Sequence, residues 1–169
     1  GWCRYEIKID GLTAATTYRY QVRVGPTRGE EVAFRTAPVK GAADVRFAFM
    51  GDSRAGIAHA LTSYVGVNYD VMERLSALAL QADSQLVLFG GDLCSGYTEI
   101  ESDFRAQLRA WKQTVAGLGG RVPVYTIPGN HEALMYSVAD SASRYGIGFD
   151  RWPYATSSTE AVFADEMVN

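Results

Sequence analysis

Val124-Tyr125-Thr126-Ile127-Pro128-Gly129-Asn130-His131-Glu132 is a β-branched and aromatic run that stops at a Pro-Gly pair and delivers an amide, an imidazole and a carboxylate into a loop. Such residues favour extended backbone, which predicts a strand over 122–127, and Pro-Gly ends it. Two earlier stretches repeat the design. Phe47-Ala48-Phe49-Met50-Gly51-Asp52 and Leu86-Val87-Leu88-Phe89-Gly90-Gly91-Asp92 each run an apolar strand into glycine and then a carboxylate. Glycine lets backbone turn sharply and approach a bound ion, and open α/β sheets gather ligands beyond the carboxyl ends of their strands. Asp52, Asp92 and Asn130 are therefore candidate metal ligands, with His131 beside them.

Working outward, strand and helix alternate. Strands are expected over 45–50 and 86–90, each followed by a helix. The first helix spans 69–81, with Val71, Leu75, Leu78 and Ala79 at helical spacing. The second spans 102–116, with Phe104, Leu108 and Trp111 on one face and Ser102 or Asp103 as its cap. This alternation implies a mainly parallel sheet covered by helices. Beyond Glu132 comes an aromatic-rich loop region (Tyr136, Tyr145, Phe149, Trp152, Tyr154), then a short helix over 161–167.

Residues 1–38 read differently. Alternating polarity predicts strands over 3–9, 18–24 and 31–36, with Gly25-Pro26 breaking the second. The run from Gly11 to Tyr20 looks like the turn and strand that carry the tyrosine corner of fibronectin type III sandwiches. Three strands cannot close such a sandwich, so the expectation is a partial β-domain (1–38), a small-residue linker (39–44) and an α/β domain (45–169).

A net charge of −3 and a pI near 5.4 argue against a nucleic-acid surface, and no basic stripe is present. No apolar run approaches the roughly 18 residues needed to span a bilayer. Two cysteines, Cys3 and Cys94, define no disulfide framework and read as free thiols.

Gly51-Asp52, Gly91-Asp92 and Gly129-Asn130-His131-Glu132, in this order and spacing, resemble the calcineurin-like metallophosphoesterases, most nearly the purple acid phosphatase branch. One Gly-Asp pair is weak evidence; the Gly-Asn-His-Glu block is far more specific. The resemblance covers 45 to the last residue. It implies an α/β metallophosphoesterase-type sheet and a two-metal centre of Fe, Mn or Zn acting on a small phosphate ester, monoesters ahead of diesters. It also implies a secreted, periplasmic or cell-surface location. Asp52 would bind the first metal, Asp92 would bridge and Asn130 would bind the second. His131 would hydrogen-bond phosphate or protonate the leaving oxygen, a task suited to imidazole.

The sequence departs from the family pattern in two places. Where the purple branch has its iron-binding tyrosine, three positions after the bridging aspartate, this chain has Ser95; Tyr97 or Cys94 are the possible substitutes. Without that tyrosine a colourless protein is expected. Where a histidine often follows the first aspartate by two positions stands Arg54, read either as a phosphate contact, because its planar fork matches phosphate oxygens, or as a surface ion pair. Glu132 reads as a helix-start or supporting carboxylate rather than a ligand, and His59 as a surface residue. The family's further histidine ligands lie in later loops, whereas only His59 and His131 occur here. The expectation is thus the N-terminal half of the domain, inactive by itself. The alternative function is a non-catalytic binding or structural module derived from a phosphoesterase.

Overall fold

The computed structural model describes residues 5–42, 44–55, 63–98, 100–133 and 158–167. His59, Cys3 and the aromatic region of residues 136–154 lie outside them. The chain divides into two compact units, Gly1–Val45 and Arg46–Asn169.

The first unit is built on an antiparallel hairpin of β1 (Thr17–Val24) and β2 (Thr27–Arg35). Gly25, at φ +57°, opens the two-residue turn at the break expected from Gly-Pro. Tyr18 and Tyr20 flank Phe34 at 5.9 Å on one face. The strand expected over 3–9 is not formed in its described part: residues 5–9 are exposed and without regular structure. Alternation there matched strand periodicity, but no neighbour supplies a ladder among the described residues.

The second unit holds a parallel sheet of β3 (Phe47–Met50), β6 (Leu86–Phe89) and β7 (Val124–Thr126), in the order β3-β6-β7. A small ribbon, β4 (Ser63–Tyr64) and β5 (Val67–Asn68), precedes α1 (Tyr69–Gln81). The ribbon lacks an Asn-Gly turn signal and had no sequence warning; its turn is Val65-Gly66, both at positive φ. The Asn68 side chain caps α1 by accepting the Val71 N–H. Its buried stripe is Met72, Ser76 and Ala79 with Leu75 packed alongside, so Val71 and Leu78, expected inside, are exposed.

Next come α2 (Glu101–Thr114), α3 (Ala116–Gly119) and, near the end, α4 (Thr159–Glu166). Phe104, Leu108 and Trp111 are buried on α2 as expected. The expected Ser102 or Asp103 cap is corrected. Ile100 occupies the cap position with no side-chain bond, and Asp103 accepts from Gln107 instead.

Both crossovers step the same way across the sheet, so the right-handed rule puts their helices on one face. That face carries Ala48, Met50, Val87, Phe89 and Val124 into the core with Trp111 and Leu118. The opposite face leaves Phe47, Phe49, Leu88 and Tyr125 exposed. Among the described residues no helix is long and apolar enough to cross a membrane.

Candidate metal centre

Met50 pairs with Phe89, and Phe89 with Thr126, so three strands end at one level. The loops carrying Asp52, Asp92 and Asn130-His131 therefore leave one edge together. Asp92 follows the central strand and lies between the other two by topology. Both aspartates adopt left-handed backbone, φ +56° at Asp52 and +53° at Asp92, as does Tyr97 at +48°. Non-glycine residues held there cost about 1 kcal/mol or more each, and such strain concentrates at functional loops.

The loops are in close contact. Gly91 lies at φ +90°, and a Cβ on it would stand 2.5 Å from the Gly129 nitrogen. Glu132, 1% exposed, fastens this junction from below. Its Oε2 accepts the N–H of Asp92 at 2.9 Å and of Gly129 at 2.8 Å, while Oε1 accepts the N–H of Cys94 at 3.1 Å. Burial pushes the Glu132 carboxyl up, against the lowering effect of the Cys94 and Gly129 N–H groups. This buried carboxylate is thus a support of the loops, the role expected for it.

Asp92 is nearly buried, and its Oδ1 accepts the His131 N–H at 3.1 Å. Its Oδ2 has no hydrogen bond among the described residues; Arg54 Nε and His131 Nε2 each stand 3.9 Å away. The His131 Nδ1 lies 2.6 Å from the Ser95 carbonyl, which only accepts, so Nδ1 carries the proton and Nε2 faces Asp92. Tyr97 packs its ring 4.1 Å from that imidazole, and its hydroxyl accepts from Asn130 Nδ2. Asn130 thereby turns Oδ1 away from the phenol. Asp52 is exposed and connects through its backbone, its N–H donating to the Gly91 carbonyl at 3.1 Å.

The structure thus brings Arg54, Asp92 and His131 together and sets Asp52 and Asn130 on the adjoining loops. Sequence reasoning missed Ser53, Trp111 and Gln107. Ser53 donates to the Leu93 carbonyl at 2.8 Å and accepts from the Trp111 indole at 2.9 Å; Gln107 accepts the Gly96 N–H at 2.9 Å. Ser53 had a signal, its place directly after Asp52. The two helix residues had none beyond helical spacing.

The model of the calcineurin-like phosphoesterase family matches residues 45–165. The chain belongs to this family. No curated protein sequence matches the chain. Among solved structures it is similar to a purple acid phosphatase isolated from yellow lupin (Lupinus luteus) seeds, 21% identical, with a TM-score of 0.48, over 69% of this chain and 20% of that one. The chain thus spans about a fifth of that protein's length.

Whether this calcineurin-like chain suits a metal can be asked of its donor atoms. Asp52, Asp92 Oδ2 and Asn130 Oδ1 are oxygens with no hydrogen bond among the described residues. Such hard donors suit Mn, Fe, Zn or Mg. Cys94 does not join them: fully buried, its thiol faces Glu132 at 3.6 Å, and burial holds its pKa well above the ordinary thiol range. Among the described residues no three His, Cys, Asp or Glu side chains cluster tightly enough to hold an ion alone. In donor chemistry the set suits a metal once the asparagine amide is counted beside the carboxylates.

Proposed function

We propose that the protein is a metal-dependent hydrolase of phosphoric esters working through a dinuclear centre of Fe, Mn or Zn. Phosphomonoesters are favoured over diesters on the resemblance to the purple branch. One observation carries the reading: three oxygen-bearing side chains leave a parallel sheet at one level, and the central one, Asp92, keeps a nearly buried oxygen without a hydrogen bond. Asp52 and Asn130 would each hold one ion, and Asp92 would serve both.

A bound metal pair supplies Lewis acidity and a nucleophile at neutral pH. The chain's own residues do the rest. Ser95 holds the His131 ring by Nδ1, presenting Nε2, which in the imidazolium form would donate to a phosphoryl oxygen or pass its proton to the leaving oxygen. Arg54, with Nε buried and no hydrogen bond to it among the described residues, offers its guanidinium to phosphate. Tyr97 orients the Asn130 amide.

Residues 1–38 are read as part of a fibronectin type III-like domain, supported by the Thr13 N–H bonded to the Tyr18 hydroxyl at 2.9 Å. A small phosphate ester is the partner and nucleic acid is not; a secreted, periplasmic or cell-surface setting follows from the resemblance.

The test is hydrolysis of p-nitrophenyl phosphate and its bis-ester by the full-length protein reconstituted with Mn, Fe or Zn. Turnover favouring the monoester, abolished by Asp92→Asn, is expected, from a colourless preparation since Ser95 replaces the purple-branch tyrosine. Violet iron-loaded protein would make Tyr97 the ligand. Absence of both turnover and metal uptake would leave the non-catalytic module as the reading.

A further inference from the structure

Asp52 and Asp92 lie 40 positions apart on separate loops, both in left-handed backbone. Two bonds tie their surroundings together. The Asp52 N–H donates to the Gly91 carbonyl at 3.1 Å, and the Ser53 hydroxyl donates to the Leu93 carbonyl at 2.8 Å. The carbonyls on either side of Asp92 are thus held by Asp52 and its immediate neighbour. Ser53 has one proton to give. Its direction is fixed because Trp111, whose indole can only donate, puts Nε1–H onto the same oxygen at 2.9 Å. Ser53 and Trp111 are both 2% exposed, so water does not compete. Trp111 is itself fixed edge-on against Phe89, at 5.1 Å, on the strand that leads to Asp92.

We propose that Ser53 and Trp111 are positioning residues that set the Asp52 carboxylate relative to Asp92, and so the affinity for metal; this rests on the metal-centre reading above. Both are buried, so each would act through the loops and not by contact with substrate. Outer partners of this kind govern how well ligands preorganise, and their loss costs about 10–100-fold in metal affinity.

The experiment is Mn2+ titration of the full-length protein by calorimetry, comparing the unsubstituted chain with Ser53→Ala and the double variant Ser53→Ala/Trp111→Phe. The double variant removes the indole donor that Ser53→Ala alone leaves stranded, which keeps a folded sample in hand. Thr114→Ala, on the same helix and with its hydroxyl bonded to the Ala110 carbonyl, is the structural control. The expected result is Mn2+ binding weakened about 10–100-fold in both Ser53 variants while circular dichroism stays native. Thr114→Ala should lower the melting temperature without moving affinity. Unchanged affinity in folded Ser53 variants overturns the positioning role and leaves the metal centre standing. A fall of equal size in Thr114→Ala also overturns it, as a general loosening. No Mn2+ bound by the unsubstituted chain overturns the metal centre itself, and this proposal with it.

Discussion

Glu132 ties the loops of the candidate site together: one buried carboxylate accepts N–H groups from Asp92, Cys94 and Gly129, two of them about 40 residues away in sequence. Glu132→Ala strands these donors at about 1–3 kcal/mol each, partly offset because a buried carboxylate no longer has to be desolvated. The net loss expected from urea unfolding is about 3 kcal/mol; a loss below about 1 kcal/mol would mean water takes over the N–H groups. At this scale the sequence told which candidate residues follow strand ends, because an apolar run into glycine and then Asp or Asn is a local pattern. It did not tell which residues hold them. The bond from Trp111 to Ser53 and the acceptor bonds of Glu132 join distant segments and leave no local trace.

Between elements, α4 is fastened to α2 by charge. Arg105, Arg109 and Lys112 converge on Glu166, at 3.0, 2.6 and 2.9 Å, and Arg105 also pairs with Asp165 and Glu101. Burial pushes the Glu166 carboxyl up, but hydrogen bonds from Arg109, Lys112 and Arg105 outweigh it and hold the group at about 2. A carboxyl depressed in the folded state stabilises fully above its unfolded pKa near 4.5 and loses that contribution as pH falls toward 2. The melting temperature should therefore drop through this window, and Glu166→Gln should flatten the drop while costing about 2 kcal/mol at neutral pH. An identical acid profile in Glu166→Gln would assign the acid sensitivity elsewhere. The helix over 161–167 was legible one or two residues out of place, with Ser158 as its true cap. Its partner was not, because three cations at helical spacing on α2 read equally as a solvated face. The misjudged face of α1 has a similar origin: apolar residues outnumber the positions the sheet can cover.

For the whole molecule, the decisive feature is a strand order with both crossovers stepping one way. The period of the pattern revealed strands and helices; it could not reveal that the helices share one face and leave Phe49 72% exposed on the other. Nor could it show residues 5–9 without strand pairing. The same strand order makes Asp92 the central residue of the site, on which the functional reading depends. Anomalous diffraction from crystals of the full-length protein grown with Mn2+ tests that reading most directly. Two peaks are predicted, one shared by Asp52 and Asp92 and one by Asp92 and Asn130; Mn2+ bound elsewhere, with no peak in reach of the Asp92 carboxylate, would contradict it.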